Sequence, residues 1–199
     1  NSGRDVAEGL REAGYAVHEI ILGEALVGLP NDVDVVFPAL HGAYGEDGGI
    51  QAELESRGIP YVGTAAAHMM ASFDKLQTKA LLVEADLATP EYAVVTSPQA
   101  ACPLPFPVVV KPPLQGSSVG VHKVRTDAEW PEALADVLSL DENALVEALV
   151  EGREMTVGIL LGRALPVVEI RDEGGTYDYA AKYLTGKTEY LVPAPVDEA

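Results

Sequence analysis

A short apolar run followed by a glycine-rich loop constrains this chain more than any other part of its sequence. Residues 106–112 read Phe-Pro-Val-Val-Val-Lys-Pro, and residues 115–120 read Gln-Gly-Ser-Ser-Val-Gly. The three valines predict a buried strand, and Pro112 keeps Lys111 extended at its end. Glycines at both ends of the loop let its backbone approach a ligand, and its N–H groups can converge on an anion. Lysine beside such a loop indicates a phosphate site, and a plain hairpin is the alternative.

The charge of the chain limits the kinds of partner that it can have. It carries 31 acidic and 13 basic residues among 199, which gives a net charge of −18. A field of this sign repels nucleic acid and anionic membranes unless a basic patch is segregated, and the sequence has no such patch. All the lysines lie at or after Lys75. We therefore expect a small anionic ligand in the later part of the chain, and neither a nucleic acid nor a membrane as a partner.

Cysteine usage and hydropathy predict a cytoplasmic protein. The single cysteine, Cys102, lies in a proline-rich linker and rules out an internal disulfide framework, which fits a reducing compartment. No apolar run approaches the roughly 20 residues that span a membrane, and the chain does not begin with a basic and then apolar signal segment.

The first 72 residues alternate strand and helix patterns, which indicates an open parallel α/β sheet. Strands are predicted over residues 16–21, 32–40 and 59–63, with a helix over 50–57. Ligands bind beyond the carboxyl ends of such strands, and His41 lies at one of them, among four glycines and two acidic residues. His41 is therefore a candidate site residue, and a histidine that only satisfies loop carbonyls is the alternative.

Later segments predict a second architecture, with helices over 74–87 and from Trp130, and strands over 92–96, 121–124 and 144–150. The strand over 144–150 runs into the glycine hinge at Gly152. Such a hinge can form the wall of an adenine pocket, with backbone groups facing the base and a carboxylate facing the ribose. Glu147 and Glu154 are spaced for these roles, and solvated strand ends are the alternative.

These motifs, taken together, resemble the D-alanine–D-alanine ligase family of the ATP-grasp superfamily. Each motif is modest alone, but their order and spacing match the family across the whole chain. The matching segments are residues 1–3, 41–48, 73–75, 110–112, 116–120, Glu147 with Glu154, and 177–183.

The resemblance implies a role for each matching residue. The catalytic and substrate-orienting residues that it implies are His41, Ser117, Lys182 and Tyr183. The ATP-binding residues that it implies are Lys75, Lys111, Gly116, Ser117, Ser118, Glu147, Ala148, Val150, Glu154 and Lys182. Within these sets the lysines contact phosphates, the glycine-rich loop closes over them, and Lys182 with Tyr183 belongs to a lid. A tyrosine at Tyr183 favours D-alanine over D-lactate as the second substrate.

The activity implied is ATP-dependent ligation of two D-alanines through an acyl phosphate, with Mg²⁺, for peptidoglycan precursor synthesis by a homodimer. The fold implied is a truncated parallel α/β domain, residues 1–72, followed by an incomplete α+β ATP-grasp domain. That domain comprises a central subdomain, residues 73–150, and the start of a C-terminal subdomain, residues 151–199. The family's first strand and its metal ligands would lie outside the sequence, so we expect this piece to be inactive alone. Another ATP-grasp carboxylate–amine ligase and a non-catalytic nucleotide-binding module are the alternatives.

Overall fold

The computed structural model describes residues 2–23, 26, 28–172 and 188–196. The chain divides into two compact units, Asn1–Thr89 and Pro90–Ala199. The predicted segments 1–72, 73–150 and 151–199 divide the chain differently and stay predictions.

Helices supply the regular structure described in the first unit. They are α1 (Ser2–Glu12), α2 (Gly49–Ser56), α3 (Ala66–Phe73) and α4 (Lys75–Glu84). Leu26, Ile50 and Leu54 form a buried cluster, and partly buried apolar residues from the segments before and after α2 pack around it. The helical spacing of Ile50 and Leu54 places both on the inner face of α2.

The strands predicted for the first unit are wrong in extent. Within its described residues, pairing is limited to one parallel bridge between Val36 and Tyr61. The Val36 N–H donates to the Pro60 carbonyl, and the Val62 N–H donates to the Val36 carbonyl, each at 2.9 Å. A segment becomes a strand only where its backbone groups find a paired neighbour, which an alternating pattern alone does not guarantee. The parallel sense of the bridge is the one predicted.

The second unit is built on a four-stranded antiparallel sheet. Its strands are β1 (Tyr92–Val95), β2 (Val108–Lys111), β3 (His122–Val124) and β4 (Ala144–Ala148), in the order β1-β4-β2-β3. Helix α5 (Trp130–Leu140) packs on one face of this sheet. Trp130, Leu134 and Val137 recur at helical spacing and meet Val108, Val110 and Val146 in the core.

A second group of strands follows β4. Strands β5 (Glu154–Thr156), β8 (Val168–Asp172) and β9 (Thr188–Leu191) form an antiparallel sheet in the order β5-β8-β9. Strands β6 (Ile159–Leu160) and β7 (Arg163–Ala164) form a separate hairpin. No helix among the described residues is both long enough and apolar enough to cross a membrane.

Candidate nucleotide site

The four-stranded sheet has a second face, which is turned away from α5. Paired residues in antiparallel strands share a face, so the register defines this surface. Lys123 pairs with Val109, Val109 pairs with Glu147, and Glu147 pairs with Tyr92. These four residues form one row across β3, β2, β4 and β1. Two charged side chains on a row between buried strands mark this face for a polar ligand rather than for core packing.

An ion pair joins two predicted site residues on this face. The Lys111 ammonium contacts the Glu147 carboxylate, and the two side chains are only 23% and 10% exposed. Lys111 ends β2 two residues beyond Val109, so it lies diagonally opposite Glu147, within reach of a long side chain. A paired charge that is largely removed from water costs less than a lone one, which lets both groups remain at the sheet surface.

A cavity of about 300 Å³ lies on the same face. It is lined by Pro90, Val109, Ser118, Val121, Lys123, Glu147, Ala148, Leu149, Val150 and Glu154. Apolar side chains with a few converging polar groups are typical of small-molecule sites, and this volume lies at the lower end of their range. The cavity therefore brings together five of the residues predicted from the resemblance to bind ATP: Ser118, Glu147, Ala148, Val150 and Glu154.

Backbone hydrogen bonds organise the edge of the cavity after β4. The Ala148 N–H donates to the Glu91 carbonyl at 2.9 Å, and the Leu149 N–H donates to the Pro107 carbonyl at 3.1 Å. These bonds anchor residues 148 and 149, at the end of β4, to the segments that precede β1 and β2. Since the N–H groups of Ala148 and Leu149 are used internally, they are not available to a ligand, whereas the N–H of Val150, the next residue, can serve one.

The glycine-rich loop adopts an uncommon backbone conformation. Ser117 and Ser118 have φ angles of 53° and 61°, and Gly120 has a φ of 67°. Left-handed conformations at two consecutive non-glycine residues are costly and are found mainly at ligand sites and turns. At Gly120 a Cβ atom would also lie 3.1 Å from the ring of Pro112, which is fully buried. The loop is thus shaped by packing at its end, and Ser118 is placed at the cavity.

Comparisons with known proteins identify the family of this chain. A family profile described as D-ala D-ala ligase C-terminus matches residues 81–199, and one described as D-ala D-ala ligase N-terminus matches residues 16–64. The chain belongs to the D-alanine–D-alanine ligase family. The resemblance inferred from the sequence motifs is therefore confirmed.

Individual members of the ligase family match most of the chain. A D-alanine–D-alanine ligase of Aquifex aeolicus is 43% identical over 96% of this chain and 67% of its own length. One of Syntrophotalea carbinolica is 40% identical over 99% of this chain and 66% of its own length. The chain thus spans about two thirds of the curated relatives that it matches.

Solved structures of the ligase family confirm the predicted fold class. The D-alanine–D-alanine ligase of Bacillus anthracis aligns with a TM-score of 0.69 and 35% identity, covering 81% of this chain and 55% of that one. The D-alanyl-alanine synthetase A of Vibrio cholerae aligns with a TM-score of 0.70 and 29% identity, covering 83% and 54%. An α/β fold of the ATP-grasp type is therefore shared with the ligases.

The first unit holds two further residues that the ligase resemblance implies. His41 is exposed and precedes a turn whose acidic residues are engaged with the backbone. The Glu46 carboxylate accepts from the Gly42 N–H at 2.8 Å, and the Asp47 carboxylate accepts from the N–H groups of Tyr44 and Gly49 at 2.8 and 2.9 Å. These carboxylates stabilise the turn by bonding to its backbone N–H groups, and these bonds do not involve His41.

Lys75 is the first residue of α4, where a positive charge is unfavourable at the helix N-terminus unless an anion lies nearby. The structure places the Asp74 carboxylate at this end of the helix. Asp74 caps the helix and accepts a hydrogen bond from the Leu76 N–H at 2.8 Å. A capping carboxylate at the positive end of a helix offsets an ammonium group there. Lys75 and His41 belong to residues 1–89, and their roles toward phosphate and substrate stay predictions.

Other predicted residues do not line the cavity. Gly116 and Ser117 lie in the loop beside it, and Lys111 reaches it through its ion pair with Glu147. Lys182 and Tyr183 lie outside the described residues, and so does the predicted lid. Their roles are therefore predictions.

Sequence reasoning missed Lys123 and the apolar lining of the cavity. The sequence places Lys123 only among the lysines in the later part of the chain. Its place follows from pairing with Val109, because a residue opposite the middle of β2 must share that residue's face. The alternation of Lys123 with the buried Val124 was the available signal, but it did not reveal which strand would be the neighbour.

Proposed function

We propose that this chain binds ATP in the cavity of its second unit, and that the protein joins two D-alanines to form D-alanyl-D-alanine. The observation that carries this proposal is the convergence of Ser118, Glu147, Ala148, Val150 and Glu154 on one cavity. Membership of the ligase family supplies the reaction, and the cavity supplies a place for its nucleotide.

The lining of the cavity matches the parts of a nucleotide. Val109 and Val121 offer apolar surface to a purine ring, and the Val150 N–H can donate to its edge. The Glu154 carboxylate can accept hydrogen bonds from ribose hydroxyls, because an ionised carboxylate is a strong acceptor. Lys123 adds a cation to the lining, which complements a phosphate chain. ATP therefore fits the donors and acceptors present.

The chemistry needs positioning and charge neutralisation rather than a protein nucleophile. A carboxylate oxygen of the first D-alanine attacks the γ-phosphorus of ATP, the bond to the bridging oxygen breaks, and ADP leaves. The amine of the second D-alanine then attacks the acyl carbon, loses a proton, and displaces inorganic phosphate. Lysines such as Lys111 and backbone N–H groups of the loop neutralise charge on the phosphates in such transfers. His41, Ser117 and Tyr183 are the residues proposed to orient the substrates.

Magnesium is part of the proposal, but none of the described residues is assigned to it. Within residues 2–172 and 188–196, apart from the gaps at 24, 25 and 27, no three His, Cys, Asp or Glu side chains converge as metal ligands. When bound, the ion would neutralise negative charge that develops on the phosphates. The proposal also includes a cytoplasmic location, a role in peptidoglycan precursor synthesis and a homodimeric assembly. All three are proposed from membership of the ligase family.

The nucleotide site is tested by calorimetric titration of the chain with ADP. We expect Glu154→Gln and Lys111→Met each to raise the Kd about tenfold or more, because each removes a charge-assisted contact. Glu151→Gln is the matched control, since Glu151 is an exposed carboxylate three residues away that does not line the cavity. Wild-type affinity in both Glu154→Gln and Lys111→Met would refute the site.

The reaction is tested separately in the full-length protein. We expect ADP release to depend on D-alanine, and the product to have the mass of D-alanyl-D-alanine. Release that depends instead on another amino acid would favour a different carboxylate–amine ligase. Tight ADP binding without any amino-acid-dependent release would favour a non-catalytic nucleotide-binding module, and either result would overturn the proposed reaction.

A further inference from the structure

Strand β5 places Glu154 at the cavity, but little apolar packing holds this strand in position. All three of its residues are exposed, and Met155 is 40% exposed. Burial of apolar surface is the usual force that fixes a strand, so a short exposed strand depends on its backbone ladder and on polar side chains. The ladder joins β5 to β8 through the pairs Glu154 with Ile170 and Met155 with Glu169.

A cluster of charged groups lies beside this strand, and we call Arg153, Glu169 and Arg171 the arginine clamp. Arg153 donates to both carboxylate oxygens of Glu169, from Nε at 2.8 Å and from Nη2 at 2.6 Å. Arg171 donates to Glu169 at 3.0 Å, and Arg153 also donates to the Pro195 carbonyl at 2.9 Å. A two-pronged contact of this kind fixes direction as well as distance.

The Glu169 side chain is 4% exposed, although both arginines are about half exposed. Hydrogen bonds from Arg153 and then Arg171 lower the pKa of the Glu169 carboxyl to about 2. The carboxylate therefore stays ionised at neutral pH, and the clamp keeps its full set of charge-assisted bonds.

The alternation of side chains along a strand relates the clamp to the cavity. Successive side chains point to opposite faces, so Arg153 and Met155 share one face and Glu154 takes the other. Glu169, which pairs with Met155, lies on the face of Arg153. Holding Arg153 to one face therefore turns its neighbour Glu154 to the opposite face, where the cavity lies.

We infer that Arg153 and Glu169 are positioning residues for a ribose-binding carboxylate at Glu154, so that the clamp sets the preference of the site for the nucleotide 2′-hydroxyl. This inference rests on the proposed ATP site. It goes further because neither Arg153 nor Glu169 lines the cavity, and both act through the direction in which Glu154 points.

The test compares the binding of ADP and 2′-deoxy-ADP to the chain. We define the 2′-hydroxyl preference as the Kd for 2′-deoxy-ADP divided by the Kd for ADP. One hydrogen bond to a charged group predicts a preference of about tenfold or more in the wild type. We expect Glu154→Gln to bring this ratio close to one, and Glu169→Gln to lower it by about threefold or more, since a loosened supporting shell misplaces the group that it holds.

Two further variants make the test specific. Arg153→Lys keeps the positive charge but loses the planar fork, so it should lower the preference as Glu169→Gln does. Arg153→Lys also tests the inference if circular dichroism shows that the Glu169→Gln variant does not fold. Glu151→Gln is the matched control, because Glu151 is an exposed carboxylate two residues from Arg153 that neither lines the cavity nor belongs to the clamp, and it should retain the wild-type preference.

The outcomes separate the inference from the proposed function. A preference that Glu154→Gln abolishes but that Glu169→Gln and Arg153→Lys leave intact would overturn the inference alone. Equal weakening of both nucleotides in the clamp variants would also overturn it, since that is the effect of a merely structural role. A wild type that binds no ADP, or a preference that survives Glu154→Gln, would overturn the nucleotide site or its ribose contact as well.

Discussion

Replacing Gly48 with alanine should destabilise the first unit more than the same change at Gly58. Both glycines have positive φ angles, 90° and 66°, and they flank the same helix, α2. Their surroundings differ. A Cβ atom at Gly48 would lie 2.7 Å from the Ala66 carbonyl oxygen and 3.2 Å from the Met70 backbone nitrogen, whereas a Cβ atom at Gly58 would meet nothing within 4 Å.

The expected free energies follow from these two environments. A left-handed conformation costs an alanine about 1–2 kcal/mol, and the stiffer unfolded chain returns about 0.4–1 kcal/mol, so Gly58→Ala should cost roughly 1 kcal/mol. At Gly48 the crowded atoms include backbone of α3, which cannot rotate away as a side chain could. Overpacking of this kind adds about 1–3 kcal/mol, so Gly48→Ala should cost about 2–4 kcal/mol.

Urea denaturation followed by circular dichroism would measure the two free energies of unfolding. Hydrogen exchange of peptides from α2 and α3 would show whether the loss arises in the first unit. Tryptophan fluorescence is the internal reference, because the single tryptophan, Trp130, is buried in the second unit. Equal losses for the two variants would refute the reasoning, since they would show that α3 yields to the added methyl group.

Three further predictions concern single residues. Asp47→Ala should lower the free energy of unfolding by about 1–3 kcal/mol in urea denaturation, because two backbone N–H groups lose their acceptor; an unchanged midpoint would contradict the structural role given to Asp47. Gly9→Ala should instead raise stability by about 0.5–1 kcal/mol, because Gly9 lies inside α1 with open space around it; a loss would count against that helix. Glu169 has a folded pKa of about 2, below its unfolded value of about 4.3, so its contribution to stability is complete above about pH 5 and is lost as the pH falls toward 2. The thermal midpoint of the wild type should therefore fall more than that of Glu169→Gln on acidification over this range, and parallel curves would refute the assignment.

Local patterns were sufficient to predict the elements around the core of the second unit. The consecutive valines of β2 are buried as expected, and the spacing of Trp130, Leu134 and Val137 predicted α5. These elements are fixed by burial of a continuous apolar run or of one helical stripe, and both are visible in a short stretch of sequence. The strand that became β4 was predicted for the same reason.

Contacts between distant segments were not predictable in this way. The placement of Lys123 depends on which strand pairs with β3, and the clamp joins Arg153 to Glu169 across a strand register. A shift of one residue in either ladder would turn these side chains to the opposite face. Register is decided by the packing of the whole sheet, which no local pattern contains.

The turn after His41 shows a different limit. In the sequence its acidic residues and glycines favour a functional site, but in the structure Asp47 binds backbone N–H groups and Gly48 is required by close packing. Short acidic side chains readily bond to nearby backbone, so their presence in a glycine-rich turn has a structural explanation of its own.

The four-stranded sheet of the second unit is a single layer, with Trp130 packed against one face and the cavity on the other. Occupancy of the cavity and integrity of the core therefore depend on the same strands. A ligand present at one hundred times its Kd would add about 2.7 kcal/mol to the stability of those strands if it binds only the folded state. Melting curves recorded through the intrinsic emission of Trp130 would then rank candidate nucleotides and inhibitors without any label and without turnover.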